Sequence, residues 1–75
     1  PRDRAFVRLL LATTLRRLGE IDEVLGALVE RPLEGANAAG RQVLRLGAAQ
    51  LLFLGTPPHA AVDTSVRLSV DAGLP

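Results

Sequence analysis

Residues able to line a core return at Val7, Leu11, Thr14, Leu18, Ile21, Leu25 and Leu28, at alternating spacings of four and three. That rhythm is the buried stripe of an α-helix and cannot be the alternation of a strand. The stripe stays in phase across Gly19, which predicts one long helix from Asp3 to Val29 even though a mid-helix glycine costs about 1 kcal/mol. Two helices broken at Gly19 are the alternative. Asp3 sits where an N-cap or first-turn acid belongs, and Pro32 ends the pattern because proline disfavours helical geometry in the residue before it. A loop from Leu33 to Ala39 is then expected.

A second helix is expected to start near Asn37 or Ala38 and run to about Leu54, burying Val43, Leu46, Gly47, Gln50, Leu51 and Leu54. Gly55 and Pro57-Pro58 supply its stop. Gly47, Ala48 and Ala49 are small enough to admit a close neighbour. A third helix should begin near His59 or Ala60 and run through Val62, Val66 and Val70 to Gly73. Nothing alternates as a strand does, so the fold class is all-α.

The chain has 75 residues, 48% of them hydrophobic, and no cysteine. A core of this size supplies only about 3–5 kcal/mol without disulfides or metal. Part of the stabilising surface is therefore expected from sequence beyond the chain or from another chain, and self-association is expected through the apolar surface left uncovered. Pro1 opens within a helical pattern and the chain closes on Gly73-Leu74-Pro75, so residues 1–75 are expected to be one domain fragment truncated at both ends. The longest apolar run, near Leu51 to Leu54, is far short of the ~20 residues of a membrane span. No signal-peptide pattern precedes it, and a cytoplasmic location is the default.

Every basic residue is arginine, and the net charge is only +1. Its distribution is uneven. Residues 1–18 hold Arg2, Arg4, Arg8, Arg16 and Arg17 against Asp3 alone, a net +4. Residues 19–36 hold Glu20, Asp22, Glu23, Glu30 and Glu34 against Arg31, a net −4. A polyanion would be drawn to the first third of the chain.

Catalytic chemistry is sparse. Without Cys or Lys there is no thiol nucleophile and no Schiff base. His59 with Asp63 four residues on is the nearest approach to a metal or acid–base pair, and a first-turn histidine making a local hydrogen bond is the favoured reading. Gly35 and Gly40 do not form a phosphate loop, since neither follows a strand. Binding is the remaining class. Arg4, Arg8, Arg16, Arg17 and Arg41 are the candidate RNA contacts, because the guanidinium fork grips phosphate in two places; arginines solvating an exposed helix face are the plain alternative. Base-stacking aromatics are confined to Phe6 and Phe53, both expected in the core.

Arg45 stands between Leu44 and Leu46, and Asp22 interrupts the apolar stripe of the first helix. Arg45 is expected to be a structural ion-pair or capping residue, with Asp22 the favoured partner; an RNA contact is the alternative.

The run Leu44-Arg45-Leu46-Gly47-Ala48-Ala49-Gln50-Leu51-Leu52-Phe53-Leu54, then Thr56-Pro57-Pro58-His59-Ala60-Ala61-Val62, resembles the NusB-like domain that opens bacterial ribosomal RNA 5-methylcytosine methyltransferases of the RsmB (Sun/Fmu) family. Leu15-Arg16-Arg17-Leu18, Ile21-Asp22, Val24-Leu25 and Arg31-Pro32-Leu33 resemble it in the same order. The resemblance implies a NusB-like helical bundle of about three helices in this chain. It implies an RNA-binding accessory role in recognising small-subunit ribosomal RNA, beside a catalytic methyltransferase domain of the same parent chain. S-adenosylmethionine and the catalytic cysteine are implied there, with no cofactor in this segment. A free-standing NusB-type transcription antitermination factor and a purely structural helical module are the alternatives.

Overall fold

A computed structural model describes residues 2–28 and 38–71. Helix α1 spans Arg2–Arg16, α2 Leu18–Leu28, α3 Ala38–Ala49 and α4 Pro58–Asp71; α3 runs on through a π-helical turn at Gln50–Leu54. Among the described residues there is no strand. The expected stop at Pro32, the end at Gly73 and most of the Leu33 to Ala39 loop lie outside the described residues, as does the Asp3 side chain.

The long first helix is not continuous: a turn at Arg17 separates α1 from α2, two residues ahead of Gly19. The Arg17 amide still donates to the Thr13 carbonyl and the Ile21 amide to the Arg17 carbonyl, both at 2.9 Å. Helical bonding thus continues on each side of the interruption. One turn upstream the buried Thr14 hydroxyl donates to the Leu10 carbonyl at 2.7 Å, a back-bond that bends helices.

The core gathers Leu10, Ile21, Leu25, Leu46 and Ala49, with Phe6, Ala48, Leu54 and Leu68 packed against it. In α1 the buried positions are Leu10, Thr13 and Thr14, while Val7 is half-buried and Leu11 exposed. The expected stripe is thus rotated by about one position there, and at the far end of α2 Leu28 is also exposed. In α3 and its extension Leu46 and Gln50 are buried as expected, but Ala49 takes the place of Leu51, which is half exposed. The wider π turn swings Leu51, Leu52 and Phe53 outward together.

Gly55 closes that turn with φ +66°, its amide donating to the Gln50 carbonyl. The left-handed backbone is why glycine stands here. Pro57 then offers its carbonyl to the Ala61 amide at 2.9 Å, and Pro58 occupies the first position of α4, where a missing amide hydrogen costs nothing.

Helix α4 packs with its small residues inward: Ala61, Ser65 and Ser69 are buried, whereas Val62, Val66 and Val70 are exposed. Polar bonding explains the choice. The fully buried Gln50 donates its side-chain amide to the Ala61 carbonyl at 3.1 Å and to Ser65 Oγ at 3.0 Å, and Ser65 donates to the Ala61 carbonyl at 2.7 Å. A valine at either inward position would remove a partner or force the helices apart. Gly47 faces the same serine, yet a methyl group built on it would lie 3.7 Å from Ser65 Oγ, an ordinary contact.

Candidate nucleic-acid interface

Helix α1 carries Arg4, Arg8 and Arg16 as exposed side chains. At 100° per residue the three fall within an arc of about 120°. None forms an ion pair among the described residues. They are a row of uncommitted guanidinium groups on one rigid element.

Arg17 is placed differently. Standing at the turn between α1 and α2, it donates Nη1 to Glu20 Oε1 at 2.9 Å, with both side chains about half exposed. Its guanidinium carbon also lies 5.1 Å from the centroid of the Phe53 ring. That cation–π contact ties the turn to the π-helical segment. Phe53 is 36% exposed and is not the core residue expected from the sequence, because the π turn carries it to the surface. Phe6 is half-buried against the core. Arg41 belongs to the first turn of α3, is half-buried and stands apart from the α1 row in the chain.

Asp22 and Arg45 come together between α2 and α3. Arg45 donates Nε to Oδ1 and Nη2 to Oδ2, both at 2.8 Å, with side chains 21% and 32% exposed for arginine and aspartate. This bidentate pair fixes the crossing of two helices and is remote in role from the exposed row. Gln50 carries no signal of its own role in the sequence beyond being the one amide in a run of apolar residues. Its Oε1 is buried without a hydrogen-bond partner among the described residues.

His59 is exposed at the start of α4. No group of three His, Cys, Asp or Glu among the described residues is placed to hold a metal ion. Among the described residues no strand leads into a glycine loop. No described helix is long and apolar enough to cross a membrane.

The chain is 39% identical, over its full length, to ribosomal RNA small subunit methyltransferase B of Xanthomonas campestris pv. campestris, covering 17% of that protein. Proteins of the same description from Escherichia coli O1:K1 and Escherichia fergusonii are each 32% identical over 92% of this chain, which covers 16% of their length. The chain therefore spans about one sixth of the curated relatives it matches. No solved structure matches it. The family comparison covers residues 1–74, almost every position discussed above, and by it the chain belongs to the NusB family.

Proposed function

We propose that this chain is an RNA-binding accessory domain of an S-adenosylmethionine-dependent ribosomal RNA (cytosine-C5) methyltransferase, acting in the cytoplasm to help recognise small-subunit ribosomal RNA. The observation that carries the reading is the exposed, unpaired row Arg4, Arg8 and Arg16 on a chain of this family. Guanidinium groups spaced along one helix face suit the phosphates of a backbone, giving affinity with little base selection. Arg17, already engaged by Glu20 and Phe53, contributes less, and Arg41 contributes as a flanking contact. The chemistry of methyl transfer belongs to a catalytic domain elsewhere in the parent chain, of which residues 1–75 form one domain fragment.

The test is a titration with a small-subunit ribosomal RNA fragment at about 50 and 200 mM salt. Binding that weakens steeply with salt is expected; no binding at the lower salt overturns the proposal. Reading the parent gene further separates this function from that of a free NusB-type factor. A downstream Pro-Cys motif with a glycine-rich cofactor loop marks the methyltransferase.

An open apolar groove favours a second role for the other face. Val24, Leu28, Leu44, Leu51, Leu52 and Val62 border a cavity of about 300 Å³ between α2, α3 and α4. On this reading the chain self-associates when alone, through surface that would otherwise be covered. Sedimentation velocity should show concentration-dependent dimers, and a monomer throughout would remove this role.

A further inference from the structure

A second cleft, of about 350 Å³, lies between α1 and α4 and is lined by Phe6, Val7, Thr64, Arg67, Leu68 and Asp71. Unlike the groove on the other face, it has a mixed lining. Phe6 and Leu68, packed against the core, give it an apolar floor. Arg67 and Asp71 are exposed, and Thr64 adds a hydroxyl. Arg67 forms no ion pair among the described residues, not even with Asp71 one turn away.

We propose that this cleft is a nucleotide slot that holds one unpaired base of a single-stranded RNA, with Arg67 on its phosphate. The proposal rests on the RNA-binding reading above and extends it to a site outside the α1 row. An aromatic ring with a free guanidinium beside it is the pair of groups that single-stranded recognition uses: the ring takes the face of the base and the arginine takes the backbone. Arg67 and Asp71 are separated by about 6 Å along the helix, comparable to the distance between the phosphate and the base of one nucleotide. Their opposite charges give the slot a direction. A phosphate is attracted to Arg67 and repelled by Asp71, whereas the N–H donors on a base edge are attracted to Asp71. Arg4 stands three residues before Val7 on the same helix, so the α1 row and the cleft share one rigid element. A base-paired strand cannot use the slot, because its bases are stacked and turned inward.

The experiment is fluorescence anisotropy of the 75-residue chain with a labelled single strand of about eight nucleotides and with a duplex of the same sequence. The single strand should bind more tightly than the duplex. Arg67→Gln should weaken single-strand binding about fivefold and reduce the salt slope by about 0.7, the value of one phosphate contact. Phe6→Leu should weaken it about tenfold, read below the melting transition followed by circular dichroism. Arg67→Gln is at an exposed position and keeps the test decisive if Phe6→Leu unfolds. Arg8→Gln should lower affinity for both RNAs while leaving the single-strand preference intact. If the chain binds RNA through Arg8 but Arg67→Gln is neutral, or duplex binds as well as single strand, the slot is overturned and the α1 reading stands. If the unaltered chain binds neither RNA at low salt, the α1 reading itself falls, and the slot with it.

Discussion

Arg45 grips both carboxylate oxygens of Asp22 at 2.8 Å, joining α3 to α2 across 23 positions of sequence. The pair is only partly shielded, so its value lies between that of a surface bridge and that of a buried one. Arg45→Ala should cost about 2 kcal/mol and lower the thermal midpoint by about 10 °C. A double-mutant cycle with Asp22→Asn should return a coupling of about 1 kcal/mol. Lysine should not restore stability, since it cannot engage both oxygens. An unchanged midpoint in Arg45→Ala would show the pair to be idle.

Gln50 offers a sharper test of the interior. Its side-chain amide serves the Ala61 carbonyl and Ser65 Oγ, so Gln50→Glu replaces a buried donor with an acceptor and brings a charge into a dry site. A loss of about 3–5 kcal/mol is expected, enough to unfold a small domain. Urea denaturation followed by circular dichroism measures it. Retention of full stability would mean that α4 does not depend on this contact.

At Gly55 the cost is confined to the backbone. Its φ is +66°, and no atom beyond Gly55 and its two chain neighbours lies within 4 Å of where a Cβ would stand. Gly55→Ala should therefore destabilise by about 1–2 kcal/mol from left-handed strain alone, and Gly55→Asn by less, because asparagine tolerates that region better. Equal midpoints for glycine and alanine would contradict the turn.

For RNA, neutralising Arg4, Arg8 and Arg16 singly should each reduce the salt slope by about 0.7–0.9, with smaller effects at Arg41 and Arg17. Equal, salt-independent losses at all five positions would point instead to unfolding.

Much of this architecture is legible in the sequence because apolar spacing and proline punctuation act locally. The stop at Gly55 with Pro57 and Pro58, the start of α3 at Ala38 and the all-α class all follow from such signals. An acid within an apolar stripe and an arginine between two leucines are equally visible, and the structure holds them in contact. The facing of α4 is not legible in the same way. Valines and small residues both recur every fourth position there, and only Gln50, reached through tertiary packing, decides that Ala61 and Ser65 turn inward. The apolar spacing in the sequence runs unbroken across Arg17, so periodicity alone gives no sign of the turn there. Phe53 looks like a core aromatic until the π turn rotates it toward Arg17. For the interface, charge position reveals the α1 row, but the cleft beside Arg67 depends on how α1 and α4 meet.

The π-helical segment closes with a hydrogen bond from Gly55 to Gln50 that spans five residues instead of four. The chain thus carries slack of about one residue between Gln50 and Gly55. Deleting one of Leu51, Leu52 or Phe53 would let the segment rewind as ordinary α-helix while Gln50 kept its place under α4. A deletion within Leu46 to Ala49 would turn Gln50 itself away from Ser65. A one-residue deletion between Gln50 and Gly55 is thus a change that the extension of α3 could absorb by relaxing.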